Sequence, residues 1–395
     1  VAEDGPVVEP APLPSWAWPP ARSGAIEPGP FPVAGPLSWS TGPTRAPRFA
    51  VKENIAVAGR PLRAGSPARG RLPPQPADAP VVTALRQAGF ALAGTTRMHE
   101  LAFGVTGRND ADGTAANPAD PNRLPGGSSS GSAVAVATGL VDLALATDTG
   151  GSARIPAALC GVVGYKASRA VPTTGVLPLA PSLDHLGWCS RDVETARRVA
   201  DVLGIARLAS SRRLRLGVVR TAWGAAEPDV RTALDRACAC LDADLVDLEW
   251  PHADEVAAVT STLIALEAAR LYDGTGISPD VVARLTLGAS VTAAQEHTAR
   301  SRGRALVAAW SQATTGLDAV LAPTCSITAP LLGAASDPGV VAALVRTTRL
   351  DDLTGLPAVS LPVPTSGLPV GLHVGARTDA ELLAVAARIE TWLRT

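Results

Sequence analysis

Of the 35 basic residues in this chain, 33 are arginines and only two are lysines, Lys52 and Lys166. A chain so biased uses arginine wherever a positive charge alone is wanted. A lysine ammonium can lose its proton on burial and a guanidinium cannot, so each lysine is a candidate for proton transfer. Lys52 stands in Phe49-Ala-Val-Lys52-Glu-Asn-Ile55, at the end of an apolar run, where burial depresses an amine's pKa. Two glycine-serine segments are the other candidates: Gly126-Gly-Ser-Ser-Ser-Gly-Ser132 and Thr147-Asp-Thr-Gly-Gly-Ser152-Ala-Arg-Ile-Pro156. Paired glycines let the backbone turn sharply and gather several N–H groups at one point. Such a nest holds an oxyanion, and the adjoining Ser152 can attack a carbonyl. Taken alone, the second segment fits an ordinary turn or a phosphate nest at least as well. The first has the composition of a flexible linker, yet it runs directly into a helix-forming stretch of small residues.

A serine nucleophile needs a base. Histidine is the usual one, and there are five: His99, His185, His252, His297 and His373. His252 and His297 lie in polar helical surroundings and read as surface residues. His99 and His185 are possible site-lining residues, although none of the five has a recognisable triad setting. A desolvated lysine is the alternative base, and Lys52 has the right context.

The segments VKENIAVAG, GTTRMHELAFG, GGSSSGSAVAVATG and TDTGGSARIPAALCGVVGYKAS resemble those of the amidase signature family. The similarity continues through GVLPLAPSLDHLG and returns in LTGLPAVSLPVPTSGLPVGLHVGAR. It covers roughly residues 49–205 and 318–390. The resemblance implies an α/β, amidase-signature fold with a large mixed central sheet flanked by helices on both faces. It also implies a Ser–cis-Ser–Lys triad of Lys52, Ser128 and Ser152, with a cis Gly127–Ser128 peptide. Thr149, Gly150, Gly151 and Ser152 would supply the oxyanion hole from their backbone N–H groups. Ser129 would support the network, Asp148 and Arg154 would form a structural ion pair, and Lys166 would be structural. The chemistry so implied is amide hydrolysis through a Ser152 acyl-enzyme, with no cofactor and no metal. Other readings stay open: an esterase, a carbamate or urea-type hydrolase, a biosynthetic acyl transferase, or one component of an amidotransferase complex working on charged tRNA.

The elements that must position these residues are partly readable. Residues 1–48 are rich in Pro, Ala and Gly and carry Trp16, Trp18 and Trp39, which suggests an extended arm anchored by its tryptophans. From 49 to 395 a single domain is expected: a core at 49–205, a substrate-shaping region at 206–317 and a return to the core at 318–395. Strands are expected at 49–51, 90–93, 143–147 and 162–165. Asp78 is expected to cap a helix through Ala88, with Pro80 in its first turn. Helix-then-strand pairs follow at 191–203 and 214–219, 229–241 and 244–248, and 291–310 and 318–322. A long helix spans 253–272, strands fall within 356–374, and a terminal helix starts at Asp379. This alternation argues for an α/β fold with a mixed or largely parallel sheet. The family commonly has a helical N-terminal region where this chain has its Pro- and Trp-rich arm, and the region 206–317 is short. Substrate and oligomeric state are therefore open, with a homodimer as the oligomer to test.

Composition limits the alternatives. The 395 residues carry 35 Lys and Arg against 36 Asp and Glu, a net charge of −1, which argues against a nucleic-acid partner. Hydrophobic residues make up 46% and charged ones 18%, which argues against wholesale disorder. No apolar run reaches the roughly 18 residues of a membrane span, and no basic stretch precedes an apolar core as in a secretory signal. Cys160, Cys189, Cys238, Cys240 and Cys325 are too scattered for a disulfide framework or a zinc cage, which suggests reduced thiols and a cytoplasmic protein. A small-molecule amide is the expected partner.

Overall fold

The computed structural model describes residues 33–40, 46–208 and 212–395. Trp16 and Trp18 lie outside the described residues. Trp39 falls in the strand Leu37–Ser40, so this part of the arm is sheet rather than irregular chain.

Among the described residues the centre is one mixed sheet of eleven strands. In spatial order they are Ala243–Leu248, Leu214–Val219, Ala319–Pro323, Val370–Gly375, Ala358–Val363, Val163–Lys166, His185–Ser190, Leu143–Asp148, Arg48–Lys52, Ala91–Thr96 and Leu37–Ser40. The pairs nearest each end are mostly parallel, as helix-then-strand alternation requires. The middle is antiparallel, through the hairpin Ala358–Val363/Val370–Gly375 and the strand His185–Ser190. That last strand is not among those expected from sequence. All six of its residues are buried, so it shows no polar alternation to mark it.

Alternation along the central strands sorts side chains by size. Phe49, Val51, Leu143, Leu145, Val359 and Leu361 fill one face, against the helices Pro80–Gln87, Val193–Val202, Pro228–Ala239 and Asp379–Arg394. The interleaved Ala50 and Ala144, with Cys189, leave room on the other face for the helices Ser130–Ala137 and Arg154–Cys160. Both carry small side chains at the contact, so their backbones come close to the strands. A Cβ on Gly164 would meet the Cβ of Ala157, and would lie 2.7 Å from the carbonyl oxygen of Ala153. Farther along this face the helices Ala253–Leu271, Pro279–Ala289 and Ala293–Ala313 pack as a separate apolar cluster over Val320 and Ala322. The sheet thus has helices on both faces.

One expected cap is replaced. The helix Pro80–Gln87 follows Ala79 with no side-chain cap. Asp78 instead accepts from the Ala58 N–H at 2.7 Å and pairs with Arg86 at 3.1 Å. Its carboxylate holds a neighbouring loop, an alternative open to any short acid next to a turn.

Gly164→Ala should lower stability by about 1–3 kcal/mol, because the helix Arg154–Cys160 must lift from the sheet to admit a methyl. Chemical denaturation of the variant measures this, and an unchanged midpoint would mean the contact yields freely.

Candidate active site

The strand Leu143–Asp148 delivers its last residues to a tight turn, Thr149-Gly150-Gly151-Ser152, and the helix Arg154–Cys160 follows. Gly151 has φ +116, and a Cβ there would run into Thr348 and Ile155, so only glycine fits. Asp148 holds the turn from within. Its carboxylate accepts from the N–H of Gly151 at 2.7 Å and of Ala153 at 3.1 Å. The same carboxylate takes two bonds from the Arg154 guanidinium, at 3.0 and 2.9 Å, and one from the Arg154 backbone N–H at 3.4 Å. The Gly151 N–H, one of the four donors expected for an oxyanion, is therefore bonded to Asp148. The N–H groups of Thr149, Gly150 and Ser152 donate to no other described residue.

Lys52 and Ser128 meet below this turn. Lys52, at the end of the strand Arg48–Lys52, is fully buried. Its Nζ lies 2.7 Å from Ser128 Oγ and 2.7 Å from Thr147 Oγ1. Asn54 Nδ2 donates to the same Thr147 oxygen at 3.0 Å. Burial lowers the Lys52 pKa to about 7, against the opposing pull of Asp148. The Gly127–Ser128 peptide is cis. Ser129 ties the two serine segments together: its N–H donates to the Ser152 carbonyl at 3.1 Å, and its hydroxyl to the Thr147 carbonyl at 3.3 Å. Ser152 is buried, and its hydroxyl makes no hydrogen bond to a described residue. Of the two links expected of a Lys–Ser–Ser relay, the structure forms the one between Lys52 and Ser128.

Arg154 sits at the centre of a buried charge cluster. Besides Asp148 it reaches Asp351 at 2.7 Å and Asp352 at 3.1 Å, and all four side chains are buried. Burial alone would raise the Asp148 pKa, but the Arg154 guanidinium outweighs it and holds the carboxyl well below its usual range. Asp352 is driven upward by burial and by the nearby Asp148 charge. His373 Nε2 lies 3.1 Å from Asp351, and His185 Nδ1 lies 3.5 Å from Asp352. Lys166 is also fully buried. Its ammonium donates to the Leu356 carbonyl at 2.7 Å, and burial lowers its pKa to about 8.

The other candidate bases are engaged elsewhere. His185 Nδ1 is 2.7 Å from the Leu183 carbonyl. His99 gives its backbone N–H to the Ser128 carbonyl, while its ring faces Asp280 and Arg284. Sequence reasoning did not single out Thr147 and Asn54, although both flank predicted site residues. Asp184, which accepts from the Thr149 hydroxyl at 2.6 Å, was equally passed over. Thr348, whose hydroxyl donates to the Gly150 carbonyl at 2.8 Å, belongs to a distant segment with no motif to mark it. The same holds for Asp351 and Asp352. Among the described residues no group of three or more His, Cys, Asp or Glu side chains is placed to hold a metal ion, and no helix is long and apolar enough to cross a membrane.

The chain matches the Amidase family over residues 48–383. It is 33% identical over 403 residues to a glutamyl-tRNA(Gln) amidotransferase subunit from Symbiobacterium thermophilum, an alignment covering 87% of this chain and 82% of that protein. A shorter match, 49% identical over 157 residues, is to Amidase 1 of Oryza sativa subsp. japonica. It covers 39% of this chain and only 36% of the rice protein's length. Among solved structures, one described as an amidase superposes with a TM-score of 0.81 at 36% identity, covering 88% of this chain and 84% of the other. The corresponding glutamyl-tRNA(Gln) amidotransferase subunit from Thermotoga maritima gives 0.80 at 28% identity, covering 90% and 87%. The chain belongs to the amidase signature family, whose enzymes act on C–N bonds.

Removing Asp148 leaves Arg154 to Asp351 and Asp352 and frees the N–H groups of Gly151 and Ala153, which releases the turn. Asp148→Ala should cost roughly 3–5 kcal/mol, as for other broken buried pairs. Because the Asp148 pKa is lowered on folding, its contribution is complete above about pH 4 and declines as pH falls further. Denaturant unfolding of wild type and variant at pH 7 and pH 3 checks both statements: the gap between them should narrow at the lower pH.

Proposed function

We propose that the protein is an amide hydrolase with Ser152 as nucleophile and Lys52 and Ser128 as its proton relay. The observation that carries this reading is the 2.7 Å contact between a fully buried lysine amine and Ser128, set beside the turn that bears Ser152. Around pH 7 and above, much of Lys52 is neutral, with two N–H groups and a lone pair. Thr147 Oγ1 accepts from Lys52 and Asn54 together, so one amine N–H is committed there and the lone pair can face Ser128. Ser128 passes its proton to Lys52 and takes the proton of Ser152 as that oxygen attacks the amide carbonyl. The contact between the two serine hydroxyls closes on substrate binding, as catalytic hydrogen bonds often do. The oxyanion is received by the unoccupied N–H groups of Thr149, Gly150 and Ser152. The relay then returns a proton to the leaving nitrogen, and water hydrolyses the acyl-enzyme.

A role inside an amidotransferase complex is the second reading, favoured by the relatives that carry that name along most of this chain. The net charge of −1 speaks against a tRNA-facing surface. Co-purification of partner subunits with the chain expressed in its own host would favour this second reading. Turnover of free amides by the isolated chain favours the first.

Ammonia release and acyl-enzyme mass over a panel of primary amides, esters and carbamates test the assignment. Ser152→Ala should lower kcat by about 10⁴ or more while the fold persists. Near-wild-type turnover by the folded variant would overturn the mechanism.

The rate should rise with pH through about 7 as Lys52 loses its proton. Lys52→Arg should be almost as damaging as Lys52→Ala, since a guanidinium keeps the charge but cannot act as a base. Recovery of activity by Lys52→Arg would reduce Lys52 to a structural cation.

A further inference from the structure

Arg349, which is half-buried, differs from the fully buried Arg154 beside it. Arg154 is surrounded by three carboxylates, whereas no carboxylate among the described residues lies within ion-pair distance of Arg349. One of its nitrogens, Nη1, donates to the Ala257 carbonyl at 2.9 Å and to the Ser261 hydroxyl. Its Nε is buried without a partner, and Nη2 donates to no described residue. A buried donor on a charged group is costly to leave unmade, and native structures rarely do so without a ligand or water to receive it.

The position of this guanidinium gives it meaning. A Cβ on Gly150 would lie 3.7 Å from Arg349 Nε and 3.7 Å from Ile264 Cδ1. The preceding residue, Thr348, is bonded to the Gly150 carbonyl. The space over the first glycine of the nucleophile turn therefore has one apolar wall, Ile264, and one cationic wall, Arg349. Burial lowers the Arg349 pKa to about 10, so it stays charged at neutral pH. Asp352, whose charge acts on Arg349, is bonded to Arg154 and is itself driven toward its neutral form by burial.

We propose that Arg349 receives a carboxylate of the substrate, so that the enzyme acts on amides that carry a negative charge close to the scissile bond. This rests on the amidase reading above and names the substrate class for that same site. The planar guanidinium suits a carboxylate, and Nη2, which donates to no described residue, is the donor open to one. The carboxylate could belong to the acyl part, as in the monoamide of a dicarboxylic acid, or to the amine part, as in an N-acyl amino acid. Ile264 favours a short aliphatic spacer in either case.

Two measurements test this. In the first, kcat/KM is compared for succinamate, the neutral butyramide of matching length, and N-acetylglycine. Wild type should favour one of the two carboxylated amides over butyramide by roughly 10- to 100-fold, mostly through KM. Arg349→Gln should bring that ratio close to one, and Arg349→Lys should restore part of it. A ratio near one in wild type, or a ratio unchanged by Arg349→Gln, would overturn the proposal. The second is calorimetric titration of Ser152→Ala with the same three compounds, which needs no catalysis. Saturable binding of a carboxylated amide that is lost in Ser152→Ala/Arg349→Gln supports the proposal. Failure of both carboxylated compounds to bind more tightly than butyramide overturns it. Should wild type turn over no amide while the carboxylated ligand still binds through Arg349, the amidase reading fails and the anion site stands.

Discussion

The buried pairing of Asp148 with Arg154 is the constraint on which the rest of the site depends. Asp148 ends a central strand, and a carboxylate there without its partner would be driven toward its neutral form. Arg154 keeps it charged, and the charged form has the acceptor capacity to hold the N–H groups of Gly151 and Ala153 together with the guanidinium. With both carboxylate oxygens so engaged, the backbone on either side of Ser152 is tied to one carboxylate. The geometry of the turn that bears Ser152, the nucleophile proposed above, is thus held by an ion pair.

That pair in turn needs the C-terminal part of the chain. Asp351 and Asp352 occupy the remaining face of Arg154, from a short helix almost 200 residues away. Thr348, just before that helix, holds the Gly150 carbonyl, and a methyl on Gly151 would strike it. Glycine at 151 thus satisfies two demands, a left-handed turn and the close approach of a distant segment. The network contains more acid than one guanidinium can neutralise, and the excess is met in two ways. Lys166 contributes a nearby positive charge, and Asp352 is pushed toward its protonated form.

The arginine bias made the two lysines conspicuous, and both are fully buried. Their surroundings separate them chemically. Lys52 ends on two hydroxyls, which can exchange or orient a proton. Lys166 ends on the carbonyls of Leu356 and Ala167, which can only accept. Local sequence thus exposed what lies in contiguous motifs: Lys52 after its strand, the serines after paired glycines, the Asp148–Arg154 neighbours. It could not expose partners brought in by topology. Thr348, Arg349, Asp351 and Asp352 sit in a segment with neither glycine pairs nor strong periodicity. The strand His185–Ser190 was missed because burial on both faces erased its alternation. The family resemblance implies an oxyanion donor at Gly151, and local sequence does not reveal that its N–H is bonded to Asp148.

The placement of small residues explains why such a site can be built on this sheet at all. A nucleophile turn must project beyond the strand ends while its following helix stays tight against the strands. Ala50, Ala144 and Gly164 supply that closeness on one face, and the larger Phe49, Val51, Leu143 and Leu145 supply burial on the other. The helix Ser130–Ala137 uses the same device, since a Cβ on Gly131 would lie 2.7 Å from the Arg97 N–H nitrogen. Because both helices approach so closely, Ser128 and Ser152 come from the N-terminal ends of neighbouring helices, and the Ser129 N–H can reach the Ser152 carbonyl at 3.1 Å. Larger side chains at these contacts would separate the two serine segments by more than a hydrogen bond can span. The small-residue composition that resembles a linker in sequence is therefore what allows two backbones to share one site.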